Sequence, residues 1–138
     1  MCAFELCEGL SRKLFVADLP LSRVLLDRAK YLPWVLLVPR VVGVVQLTDL
    51  NMDDQMQLLR ELNYTAHVMQ DLFKSDRLNI AAIGNKTPQL HVHIICRSEG
   101  DPYWPETVWQ YKCEKMTDAE SESRVRAIQS RLEQYKIS

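Results

Sequence analysis

Apolar and polar positions along the chain alternate in short runs and recur at helical spacing in two longer ones. Residues 2–10 fit one or two helical turns, with Phe4 and Cys7 or Leu10 facing inward. Residues 13–18 (KLFVAD), 22–27 (SRVLLD) and 34–38 (WVLLV) read as three strands. The third is apolar at every position, the pattern of a strand buried on both faces. Pro33 and Pro39 bracket it, as expected for a residue excluded from strand interiors. In residues 51–74, Met52, Met56, Leu59, Leu62, Ala66, Met69 and Phe73 recur at intervals of three and four, which predicts one apolar helix face. Asn51 suits the N-cap, and Asp53 and Asp54 suit the positive end of the helix dipole. Residues 77–83 (RLNIAAI) and 89–96 (QLHVHIIC) read as two more strands. Gly84-Asn85-Lys86-Thr87-Pro88 joins them, so an antiparallel hairpin is the simplest geometry. Residues 97–116 are irregular, with turn chemistry at Glu99-Gly100-Asp101-Pro102 and a break at Pro105. Thr117-x-x-Glu120 is a capping box that opens a last helix, with Val125, Ile128, Leu132 and Tyr135 on one face.

The strands do not alternate with helices, so the predicted class is α+β with an antiparallel sheet. At 138 residues, 47% of them apolar, one domain is expected: a core over about 13–97 and an extension with a helix over 98–138. Seventeen basic residues against 18 acidic give a net charge of −1, which excludes a generic nucleic-acid binder. A pocket for a single phosphate group remains compatible with it. Cysteines at 2, 7, 96 and 113 show no Cys-x-x-Cys spacing, and the first residues lack the pattern of a secretory signal. Free thiols in a reducing cytoplasm are the expectation. The longest apolar stretches, 31–39 and 41–45, fall short of the ~20 residues of a membrane helix.

The chain has three histidines. His67 lies in the long helix, off its apolar positions, and is expected to be solvated. His91 and His93 are two apart on a strand, so they share a face with Gln89, while Leu90, Val92 and Ile94 take the other face. A polar stripe on an apolar strand is costly unless it is satisfied or used. The residues alone leave three readings open. The pair can be structural. It can chelate a metal, although a zinc site needs at least three protein ligands and Cys96 points to the other face. Or one imidazole can be a nucleophile held by its neighbours.

Gln89-Leu-His91-Val-His93-Ile94-Ile95 resembles the histidine triad (HIT) motif, His-φ-His-φ-His-φ-φ, with Gln at the first position. The resemblance runs from about Leu14 to Arg97. It takes in the strand from Trp34 to Arg40, the long helix and the strand that begins near Asn79. The run from Asn79 to His93, followed by Asp101-Pro-Tyr-Trp104-Pro, resembles a bacterial branch described as diadenosine-tetraphosphate-hydrolase-like, which also carries Gln first. The resemblance implies a HIT-like fold, a five-stranded sheet and a homodimer. It implies attack on the α-phosphorus of a purine nucleotide conjugate, through a nucleotidyl-histidine intermediate. His91 is then the nucleophile, His93 the donor to a phosphoryl oxygen or leaving group, and Gln89 the first member of the catalytic set. Asp27, Asn79 and Asn85 fall at nucleotide-binding positions, while Lys86, next in the loop, fits either a solvated lysine or one that meets the leaving phosphates. No metal or other cofactor is implied. Where the family often has a further His, this chain has Trp34, so the usual hydrogen bond to the histidine cluster is not implied; Trp34 fits a buried core position or a wall of the base pocket. Trp104 and Trp109 fall where the family shapes its leaving-group pocket. A phosphoramidase is a second enzymatic reading, and a nucleotide-binding protein with little turnover is the rival from another class.

Overall fold

The computed structural model describes residues 3–136, so Cys2 lies outside the described residues. A short helix α1 (Glu8–Ser11) precedes strands β1 (Leu14–Asp18), β2 (Ser22–Leu26) and β3 (Trp34–Pro39). A 3₁₀ turn (Leu47–Asp49) leads into α2 (Met52–Phe73). Strands β4 (Arg77–Ala81) and β5 (Val92–Arg97) follow, and α3 (Asp118–Leu132) closes the chain. The five strands form one antiparallel sheet in the order β1-β2-β3-β5-β4. The predicted α+β class and five-stranded antiparallel sheet are what the structure has.

Both faces of the sheet are covered. On one, Val24, Leu26, Val35, Leu37, Val92, Ile94 and Cys96 pack against α2 and α3. On the other, Leu25, Trp34, Leu36, Val38 and Ile95 pack against Leu10, Leu32 and Val108 from the irregular segments. Every residue of β3 is therefore buried, as its unbroken apolar run predicts. Within α1, only Leu10 is fully buried.

Cap chemistry sets both long helices as predicted. Asn51 accepts from the Asp54 N–H, and Thr117 and Glu120 form the reciprocal box at α3. Ile128 and Leu132 are buried, with Val125 and Tyr135 packed at the edge. His67 is exposed, as expected. The apolar face of α2 needs correction. Of the expected face, Ala66 and Met69 are buried and Leu62 and Phe73 pack against the core, but Met52, Met56 and Leu59 are exposed at 67%, 46% and 56%, and Leu58, Glu61, Thr65 and Val68 are buried in their place. The buried face is thus rotated by about one residue step, ~100°. Glu61 makes this possible: its carboxylate accepts from the N–H groups of Leu21 and Ser22, at 2.7 and 2.8 Å, and from Gln57 Nε2. A buried carboxylate satisfied by main-chain donors costs little, so a polar residue holds an inward position.

Candidate active site

β5 lies between β4 and the central strand β3, with Leu36 of β3 opposite His93 and Trp34 opposite Ile95. The strand starts at Val92, so Gln89 and His91 sit on the extended lead-in rather than in the strand predicted over 89–96. The two imidazoles still meet, with ring centroids 4.9 Å apart. Neither lies on an open stripe: His91 and His93 are each 6% exposed. Gly84 makes room for His91, because a Cβ there would stand 2.9 Å from the ring's Cε1 and 2.9 Å from the Thr87 carbonyl.

Hydrogen bonds fix both tautomers. His91 Nδ1 is 2.7 Å from the Gln89 carbonyl, which can only accept, so Nδ1 carries the proton and Nε2 keeps its lone pair. Trp34 Nε1–H donates to His93 Nδ1 at 3.0 Å. An indole can only donate, so His93 carries its proton on Nε2, which faces the Ile83 carbonyl at 3.3 Å. Trp34, buried as expected, therefore also supplies a hydrogen bond to the cluster in place of the family's extra His. The His93 ring is packed between Trp34 and Trp109, with centroids 5.6 and 4.7 Å away. Burial, reinforced by His91 and Lys13 and opposed by the Ile83 carbonyl and Asp27, lowers the His93 pKa from its ordinary 6.5 to about 4.

A cavity of about 390 Å³ opens beside the pair, lined among others by Leu10, Lys13, Asp27, Asn85, Lys86 and Trp109. Asp27 accepts from Lys13 Nζ at 2.7 Å and from the Ala29 N–H at 2.9 Å. Asn85 also borders a second cavity of about 350 Å³ that His91 and Gln89 line with Gln46 and Thr48. Of the positions expected to bind nucleotide, Asp27 and Asn85 thus reach the histidines' surroundings. Asn79 does not join them: its amide oxygen accepts from Arg97 Nη1 at 3.0 Å. Trp109 stands at the site, while Trp104 lies under the Arg97 guanidinium, 5.8 Å from it. The Gln89 side chain is spent on main-chain groups of Glu5 and Cys7, not on a histidine. Lys13 carries no motif that marks it as a site residue. Its signal was the hairpin register, since Leu14 pairs with Leu26 and the next pair outward is Lys13 with Asp27. Among the described residues, no three or more His, Cys, Asp or Glu cluster to hold a metal ion.

The HIT domain model matches residues 9–100. The chain belongs to the HIT family. A histidine triad protein from Bradyrhizobium japonicum is 38% identical, with 95% of this chain and 99% of that one covered and a TM-score of 0.91. Another from Marinobacter aquaeolei is also 38% identical, covering 96% and 98%, with a TM-score of 0.91. The diadenosine triphosphate hydrolase of Plasmodium falciparum shares the fold at 18% identity, covering 95% and 84%, with a TM-score of 0.64. No curated protein matches the chain. Among the described residues, no helix is long and apolar enough to cross a membrane.

Proposed function

We propose that this HIT protein cleaves purine nucleotide conjugates at the α-phosphate, through a nucleotidyl intermediate on His91. The observation that carries the reading is the 2.7 Å contact between His91 Nδ1 and the Gln89 carbonyl. It leaves Nε2 unprotonated, the state a nucleophile needs at neutral pH. In the first step the Nε2 lone pair forms the bond to phosphorus, and the bond from phosphorus to the leaving group breaks with its electron pair. The ring becomes cationic, and the Gln89 carbonyl at Nδ1–H stabilises that charge. In the second step a water oxygen bonds to phosphorus and the P–N bond breaks. The nucleoside monophosphate departs, the water's proton passes to solvent, and His91 returns to its starting state. On substrate binding the His93 Nε2–H, which otherwise meets the Ile83 carbonyl at 3.3 Å, turns to a phosphoryl oxygen. Asp27 holds the ribose hydroxyls, and Asn85 and Lys86 meet phosphate oxygens, with a charge-assisted bond from Lys86.

The substrate class we favour is a dinucleoside polyphosphate, in line with the Gln-first bacterial branch and with the hydrolase activity named for the Plasmodium relative. A nucleoside phosphoramidate is the alternative conjugate. The enzyme works in the cytoplasm as a homodimer. Support for a second copy comes from exposed Leu47, Met52, Met56, Leu59 and Ile80 beside β4, an edge strand of the sheet. Sedimentation at micromolar concentration checks the dimer. Incubation with a panel of dinucleoside polyphosphates and adenosine phosphoramidates, followed by AMP detection, checks the reaction. Mass spectrometry of the protein denatured at alkaline pH, where a P–N bond survives, should find adenylyl mass on His91. A single slow turnover that leaves the protein adenylylated makes it a binding protein, and modification of His93 instead shifts the nucleophile.

A further inference from the structure

We infer that Gln89 is a positioning residue: its side-chain amide docks residues 5–7 and so holds the N-terminal wall of the nucleotide pocket. The inference rests on the proposed reading of that pocket. Gln89 Nε2 donates to the Glu5 carbonyl at 2.8 Å, and its Oε1 accepts from the Cys7 N–H at 2.8 Å. A carboxamide presents a donor and an acceptor side by side in one plane, as a neighbouring peptide strand does. An imidazole, with ring nitrogens that diverge, cannot address both groups in this way. Gln at the first motif position therefore has its own function here and is not a defective histidine.

The docked segment continues directly into the pocket. Cys7 is the N-cap of α1. Gly9 of α1 lies so close to Thr87 that a Cβ would stand 3.0 Å from its Oγ1. Leu10, 2% exposed, and Lys13 then line the cavity with Asp27 and His91. Meanwhile the main-chain carbonyl of the same Gln89 accepts the Nδ1 proton of His91. One residue thus ties the pocket wall to the nucleophile, through its side chain on one side and its main chain on the other. Losing the amide loosens the wall but keeps the carbonyl, so binding suffers and chemistry does not.

A double-mutant cycle tests this. Gln89→Ala should raise KM for diadenosine tetraphosphate about tenfold, with kcat reduced no more than about twofold. Cys7→Pro deletes the N–H that Gln89 accepts, and the native φ of −67° suits proline. It should raise KM by a similar factor, whereas Cys7→Ala, which keeps the N–H, should raise it less. The double variant should be no worse than Gln89→Ala alone, because both changes break one contact. Multiplying KM effects, or a kcat loss at unchanged KM, would overturn the assignment. Hydrogen exchange of the free protein separates this from the functional reading, since it needs no substrate. Amides of residues 8–11 should exchange faster in both single variants while those of α2 stay unchanged. Unchanged protection at 8–11 also sinks the inference, even if nucleotide turnover is confirmed. If Gln89→Ala fails to fold, the Cys7→Pro and Cys7→Ala pair carries the same comparison.

Discussion

His93 and Arg97 leave β5 on the same face of the sheet, with Ile95 between them, yet they belong to opposite kinds of polar cluster. Around Arg97 every strong group is spent. The guanidinium, 2% exposed, meets the equally buried Asp101 at 2.9 Å and bonds the Asn79 amide oxygen. Asp101 accepts in turn from the N–H groups of Ser98 and Tyr103. Around His91 one atom is left over. Nδ1 is committed to the Gln89 carbonyl, and Nε2 retains its lone pair in a ring that lines a cavity. Alternation along a strand sorts polar residues to a face, while hydrogen-bond saturation separates a brace from a reactive centre.

The strongest way to break this contrast is to remove the unspent atom. His91→Ala should reduce kcat on diadenosine tetraphosphate by ~10⁴-fold or more, the scale for losing a covalent nucleophile. Circular dichroism should show the fold retained. A variant that keeps most of its kcat would place the reactive group elsewhere. The mirror-image change is Asp101→Ala, which strands a buried guanidinium and should cost about 3–5 kcal/mol of stability. Urea unfolding measures the cost, and kcat at a temperature where the variant is folded should stay near that of the wild type. A large kcat loss there would make the Arg97 cluster part of the active site.

The same contrast explains what could be read in the sequence and what could not. Strand and helix positions were legible because periodicity and caps are local: Trp34, Asn51 and Thr117 mark their elements as expected. His91 and His93 were legible because two residues two apart on a strand must share a face. Asn79 was placed with the nucleotide, but its amide went to Arg97, a partner 18 residues away that only the β4–β5 pairing brings near. From the sequence alone, Trp34 leaves open whether the family's hydrogen bond to the histidines is kept. Its indole N–H reaches His93 diagonally across the paired strands β3 and β5, a relation that needs the register of two strands far apart in sequence. The inward face of α2 was misread for a similar reason: Glu61 is polar by composition, and only the β1–β2 turn supplies the donors that let it be buried.

Acid should separate the two clusters on the pH axis. His93 is held near pKa 4 in the folded protein against 6.5 when unfolded. Above pH 6.5 both states are neutral and the group contributes no pH dependence. Between 6.5 and 4 the unfolded chain takes a proton that the folded one refuses, so stability falls as pH drops, by about 3 kcal/mol in all. Burial raises the Asp101 carboxyl, but Arg97 and the N–H groups of Tyr103 and Ser98 outweigh it and hold its pKa below the ordinary 3.8. Its contribution is therefore lost only at still lower pH. Urea unfolding at pH 7, 5.5 and 4.5 reads the first window. Trp34→Phe removes the donor that occupies His93 Nδ1 and should make the slope between 6.5 and 4 shallower. An unchanged slope would mean that burial and the neighbouring charged and polar groups, not the indole, set the His93 proton affinity.

The smallest expected effect is that of a chelator. A catalytic zinc needs three protein ligands and an open position. At this site the ring nitrogens are already assigned: His91 Nδ1 to a carbonyl, His93 Nδ1 to an indole and His93 Nε2 to the Ile83 carbonyl. Only His91 Nε2 is left, and it is the proposed bond-forming atom, so a transition metal there blocks attack instead of assisting it. Among the carboxylates, Asp27 is engaged by Lys13 and the Ala29 N–H. Dialysis against a strong chelator should therefore leave kcat unchanged, and added zinc should inhibit by capping His91. Magnesium acting through the substrate's own phosphates would alter KM without contradicting this. Activity that vanishes on chelation and returns only with zinc, manganese or cobalt would make the unspent nitrogen a metal ligand, and the contrast between brace and nucleophile would have to be redrawn around the metal.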